Sequence, residues 1–139
     1  MKIKNVSRIM YNMEKERLNK NFLSTFDGYD FSRIKEKKIF LVGSIRFKDY
    51  FIKIESILQI NYKKLVYICS VDGLLNKDEF STTEWVKLQE VALKKLHDQD
   101  AIIVLDIDNY IGKETKEEIE YFKKILKKPV YYLSDLKKS

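Results

Sequence analysis

The sequence predicts an α/β fold: a small doubly wound parallel sheet of about four to five strands flanked by helices, with an N-terminal helical extension. Two observations predict it. The apolar runs at 39–43, 65–69 and 101–107 are nearly continuous rather than alternating, which marks strands covered on both faces. Between these runs apolar residues recur at helical spacing, so strand and helix alternate along the chain, and right-handed crossovers then make the sheet parallel.

Residues 1–37 precede the first strand and read as an extension to an α/β domain at 38–139. Ile9, Met10, Met13, Leu18, Phe22 and Phe26 form a loose helical face, and Asp27, Gly28, Tyr29 and Asp30 break it. One helix is expected there, covering a sheet edge or docking on a second subunit. The first strand, KIFLVGSIR at 38–46, runs into a tight turn at Gly43, and Phe47, Tyr50, Phe51, Ile54, Ile57 and Leu58 then define an amphipathic helix. The second strand at 65–69 ends in a polar loop with Asp72, Gly73, Asn76 and Asp78. A long helix starts at Ser81 or Thr82 with Glu84 placed for a capping arrangement, runs through Trp85, Leu88, Val91, Ala92 and Leu96, and ends at 98–100. The third strand, at 101–107, is interrupted by Asp106. A loop with Gly112 then opens a helix carrying Ile119, Phe122, Ile125 and Leu126, and Pro129 leads into a last strand at 130–133. The result is a Rossmann-like, flavodoxin-like sheet with the first and third strands as central neighbours. Its ligand crevice lies between the loops that follow those two strands.

Composition narrows the partners. A chain of 139 residues, 45% hydrophobic and 35% charged with one proline, buries a real core without low-complexity linkers. The net charge of +6 comes from lysines interspersed with carboxylates, and arginine is scarce, so nucleic acid is not an expected partner. Cys69 is the single cysteine, which excludes an intrachain disulfide and a multi-cysteine zinc site and fits a cytoplasmic setting. The first 20 residues are broken by charge too often for a signal-peptide core, and no apolar run reaches the length of a membrane span. No membrane partner is expected. His97, at the end of the second helix and away from the crevice, reads as structural or solvated, and a lone histidine makes no metal site. Neither metal nor cofactor is expected.

The loops carry the chemistry. Gly43 lets the backbone approach a ligand, Ser44 offers a hydroxyl, and Arg46 offers a guanidinium fork matched to phosphate or carboxylate. Across the crevice, Glu114, Glu117 and Glu118 lie at or near a helix start, where the positive end of the helix favours ionised carboxylates. For Glu114 and Glu117 a solvated helix start is explanation enough. An ionised glutamate can also attack the anomeric carbon of a sugar and form a covalent glycosyl intermediate.

Two motifs, GSIR at 43–46 and YIGKETKEEIEYFKKILKKPVYYL at 110–133, resemble the nucleoside 2-deoxyribosyltransferase-like superfamily, which includes the deoxynucleoside 5′-monophosphate N-glycosidases. The resemblance spans about two thirds of the chain, 38–133. It implies cleavage or transfer at the N-glycosidic bond of a (deoxy)nucleoside or its 5′-monophosphate. Glu118 falls where the family places its nucleophile, and Gly43, Ser44, Ile45 and Arg46 fall where it holds phosphate and sugar. Gly112 matches the family's loop glycine. Tyr110, beside it, is placed to stack on a nucleobase, and Asp106, ahead of Asp108, to orient sugar hydroxyls or to cap loop amides. By the same analogy the chain forms a homo-oligomer. A family aromatic on the first strand would match Phe40, but an aromatic in a buried strand is far more often core, so Phe40 is assigned no site role. One departure matters: the family's supporting aspartate on the preceding helix matches Ala92, and Glu90 points elsewhere on an ideal helix. That departure leaves a second reading, a nucleotide-binding or sensor module that does not cleave its ligand.

Overall fold

The computed structural model describes residues 17–68 and 77–138. Among these residues lie four strands, β1 (Lys38–Val42), β2 (Leu65–Ile68), β3 (Ala101–Val104) and β4 (Val130–Tyr132), and four helices. The helices are α1 (Lys20–Leu23), α2 (Lys48–Tyr62), α3 (Thr82–His97) and α4 (Lys113–Lys124). All strand pairs are parallel, in the order β2-β1-β3-β4. The chain therefore winds outward in both directions from the β1–β3 seam, which is the expected doubly wound topology. The predicted strand residue Cys69 and the loop residues Asp72, Gly73 and Asn76 lie outside the described residues, as do Ile9, Met10 and Met13.

Pleating sorts the strand residues into two cores. Ile39, Leu41, Ala101, Ile103 and Leu105 face α2, where Phe51, Ile54, Ile57 and Leu58 are buried against them. Phe40, Val42, Ile102 and Val104 face the opposite way, against Leu96 of α3 and Ile119 and Phe122 of α4. Phe40, 1% exposed, is a core residue. Each such side chain contributes about 1.5–3 kcal/mol on burial.

Local chemistry sets the helix ends. Ser81 and Glu84 form the anticipated reciprocal capping box at the start of α3. Lys63, in the left-handed region with φ 54°, closes α2 by donating its backbone N–H to Gln59 and Leu58 carbonyls. The Lys128 ammonium reaches the carbonyls of His97 and Gln99, each at 2.7 Å, and satisfies acceptors that the end of α3 leaves open.

Two details differ from the sequence reading. Regular β3 stops at Val104 rather than at 107, because Asp106 turns away to bond Ser134 and Ile107–Asn109 form a 3-10 turn. The described part of the N-terminal extension is a short α1 followed by 3-10 turns at Ser24–Phe26 and Phe31–Arg33, not one long helix. Phe26, Phe31 and Ile34 join the α2-side core with Leu133 and Leu136, and the Lys64 ammonium donates to the carbonyls of Ile34 and Glu36 at 2.9 and 2.7 Å. Among the described residues, no helix is long and apolar enough to cross a membrane.

That packing carries a prediction. Phe31→Ala, at a position 3% exposed, should cost about 3–5 kcal/mol in urea unfolding. A loss below about 1 kcal/mol would mean that the segment before β1 lies on the domain without completing its core.

Candidate functional site

The site begins where β1 ends. A Cβ on Gly43 would lie 3.1 Å from the Leu105 Cβ, 3.3 Å from the Leu105 carbonyl oxygen and 3.3 Å from the Phe51 ring. Only glycine permits that approach at this φ of +156°, and the approach lets the Leu105 N–H reach the Val42 carbonyl at 2.8 Å. The two loops of the switch point are thereby held together. The chain then makes a 3-10 turn, Ile45–Phe47, in which the Ser44 carbonyl accepts from Phe47 N–H at 3.0 Å and the Ser44 hydroxyl accepts from Arg46 N–H at 3.3 Å. The Ser44 hydroxyl proton remains available to a ligand.

Opposite this turn, the Arg46 guanidinium lies 4.1 Å from the centre of the Tyr110 ring, a cation–π contact that bridges the two loops. Tyr110 also meets Phe47 edge to face, with ring centres 6.3 Å apart. Gly112 is the N-cap of α4, so the open amides of that helix start face the same loop cluster. Gly43, Ser44, Tyr110, Gly112 and Lys113 border a cavity of about 360 Å³.

A second cavity of about 490 Å³ lies between α3 and α4 and shares Gly43, Glu114 and Thr115 with the first. Glu118 opens into it. So do Trp85, Gln89, Ala92 and Leu96, which follow one another at helical intervals along a single stripe of α3. Ala92 thus faces the same cavity as Glu118, whereas Glu90 is exposed and outside the cavity lining among the described residues. The wall opposite α3 carries Glu114, Glu117 and Glu118 of α4, together with Tyr121.

Glu118 behaves differently from the sequence expectation. It is the sixth residue of α4, one turn past the stretch where the helix start stabilises negative charge. Burial, and then the repulsion of Glu114, push its carboxyl up from the ordinary 4.5 to about 7. Near neutrality it is therefore divided between its acid and carboxylate forms.

Asp106 lies apart from this group and corrects the expectation of a crevice residue. Its carboxylate accepts from the backbone N–H of Ser134 at 2.9 Å and from the Ser134 hydroxyl at 2.5 Å. It borders a separate cavity of about 370 Å³ with Tyr29, Tyr50 and Asp108. Its role there is to lock the β3 loop to the turn after β4. Asp108 and Asn109 take left-handed backbone conformations, φ 56° and 60°, in that loop. His97 is exposed, and its Nε2 lies 2.6 Å from the Tyr121 hydroxyl, tying the end of α3 to α4.

The structure therefore gathers Gly43, Ser44, Tyr110, Gly112 and Glu118 around two joined cavities, with Arg46 held on Tyr110. Sequence reasoning gave no site role to Gln89, Thr115 or Tyr121 and named Trp85 only as a residue along the helix. The available signal was Gln89, a polar residue set between Trp85 and Ala92 on an otherwise apolar stripe. No protein-family model, curated protein or solved structure matches the chain.

The raised Glu118 pKa fixes a pH dependence. Below about pH 4.5 the group is protonated both folded and unfolded and contributes nothing. Between about 4.5 and about 7 the unfolded chain gives up a proton that the native state keeps, so stability falls as pH rises, and above about 7 the full cost persists. Glu118→Gln should exceed the parent in urea-unfolding stability by an amount on the order of 2 kcal/mol at about pH 8, the difference shrinking toward about pH 5. A difference independent of pH would remove the burial account of Glu118.

Proposed function

We propose that the chain cleaves or transfers at the N-glycosidic bond of a (deoxy)nucleoside or its 5′-monophosphate, with Glu118 as nucleophile. The observation that carries this reading is a half-buried glutamate in a cavity that joins, at Gly43, a second lobe lined by Ser44, Lys113 and the start of α4. A sugar at the junction would place its anomeric carbon toward Glu118 and its 5′ side toward the amides, hydroxyl and ammonium of the second lobe. The Glu118 carboxylate then attacks C1′, the C1′–N bond breaks with its electron pair passing to the base, and a glycosyl ester remains. Water resolves the ester in hydrolysis. A second base resolves it in transfer. In this scheme Arg46, resting on Tyr110, supplies charge beside the phosphate lobe, and Trp85 offers a flat apolar wall for the base.

A sensor reading has its own support in Ala92, which leaves Glu118 without the carboxylate partner that the resemblance implies. Under that reading the same lobes bind a nucleotide and no bond breaks.

Incubation with deoxynucleosides and their 5′-monophosphates, following free base by chromatography, separates the two. Glycosyl chemistry predicts base release that falls at least roughly a thousandfold in Glu118→Ala. It also predicts a kcat/KM that rises with pH to a plateau above about 7, since only the ionised form attacks. Release that survives Glu118→Ala would dismiss the nucleophile, and a monophosphate that raises Tm without releasing base would favour the sensor.

A further inference from the structure

The cavity holding Glu118 is electrically one-sided. Glu114, Glu117 and Glu118 line it, and among the described residues no lysine or arginine does. Its other lining is neutral, with Gln89 and Thr115 polar, Trp85, half-buried on α3, and Tyr121, on α4, aromatic, and the rest apolar. The adjoining lobe shares Glu114 but also carries positive groups: Lys113 lines it, Arg46 lies on its Tyr110, and the start of α4 opens there. An electron-rich aromatic face beside carboxylates favours a cationic ring by cation–π and Coulomb attraction together, and disfavours an anionic one.

We propose that the preferred substrate is a nucleotide with a fixed positive charge on the ring that bears the glycosidic nitrogen, an N-glycosylated pyridinium or an N7-alkylated purine. The charged base sits between Trp85 and the α4 carboxylates, and the 5′-phosphate sits in the Ser44–Lys113 lobe. This rests on the glycosyl chemistry proposed above and names its substrate class.

The assignment accounts for a difficulty in the cavity. Burial and Glu114 hold a proton on Glu118 that a nucleophile must lose, and no cation of the chain lining this cavity, among the described residues, offsets them. A cationic base supplies the missing countercharge, so substrate binding itself favours the attacking carboxylate. The step also balances without a proton donor. Glu118 Oε forms a bond to C1′, the C1′–N bond breaks, and its electron pair cancels the positive charge of the ring, which leaves as a neutral base. Water then hydrolyses the glycosyl ester, giving the free sugar phosphate and, after one proton passes to solvent, the Glu118 carboxylate.

The test compares charge at nearly constant shape. Binding to Glu118→Gln, which cannot turn over, is measured by calorimetry for nicotinamide mononucleotide against its neutral 1,4-dihydro form, and for N7-methylguanosine 5′-monophosphate against guanosine 5′-monophosphate. The cationic member of each pair should bind roughly tenfold more tightly, and adding Glu117→Gln should reduce that ratio about three- to fivefold. The parent should release nicotinamide or N7-methylguanine faster than the uncatalysed rate, and Glu118→Gln should not. Equal or tighter binding of the neutral members overturns the charge assignment, and if the neutral nucleotides are nonetheless cleaved through Glu118 the glycosidase reading stands without it. A cationic preference with no base released from any nucleotide overturns both the substrate assignment and the glycosidase reading.

Discussion

The structure depends on how closely β3 can approach the end of β1. The N–H of Leu105 reaches the Val42 carbonyl only because Gly43 presents no side chain toward Leu105 and Phe51. This contact lies at the seam where the winding reverses, so it also sets the distance between the loop bearing Ser44 and Arg46 and the loop bearing Tyr110 and Gly112. The Arg46–Tyr110 contact is a consequence. A wider seam would separate the guanidinium from the ring and break the Ser44–Lys113 lobe away from the cavity of Glu118. Packing and site geometry are here one constraint, because the Cβ that would crowd the core is the same Cβ that would fill the junction of the two cavities.

Charge imposes a second constraint, and it opposes the first. Packing α4 on the sheet through Thr115, Ile119 and Phe122 fixes the helix rotation, and that rotation carries Glu118 inward with Glu114 one turn before it. Desolvation and like-charge repulsion both favour the acid form of Glu118, and the helix start is too far away to counter them. A carboxylate held this way weakens the native state at alkaline pH. Strain of this kind is common where chemistry is done, since a group stabilised as fully by its surroundings as by water has little reactivity to give.

The sheet was readable because its signals are local and redundant. Unbroken apolar runs at Ile39 and Ala101, the Ser81–Glu84 box and Gly112 before α4 each point to the element found. The loop glycines and Ser44 were readable for the same reason, as turn chemistry. What could not be read is where side chains go when two elements compete for them. Asp106 looked like a crevice residue by its place at a strand end, yet Ser134, distant in sequence, captures it. Phe26 looked like part of the apolar stripe of an appended helix, yet with Phe31 it completes the core beneath Leu133 and Leu136. The α3 stripe was off for a related reason. The sequence reading traced the helix through Val91, but Val91 is 48% exposed, and the cavity takes Gln89 instead.

The position of Gln89 follows from how α3 is held. Only Leu96 is buried along that helix, and Val86, Val91 and Leu93 are exposed. Burial therefore fixes its last turn and leaves the rest to polar ties: the Lys128 ammonium on the carbonyls of His97 and Gln99, and the His97–Tyr121 contact. All of these act at one end. Trp85, Gln89 and Ala92 extend away from that anchor along the wall facing Glu118, and near the helix start Trp85 meets the Phe80 ring, with ring centres 6.2 Å apart. The α4 wall, by contrast, is packed into the core through Ile119 and Phe122. The space between the two walls therefore has an acidic side on α4, fixed by core packing, and an aromatic side on α3, held chiefly through polar contacts at the helix end.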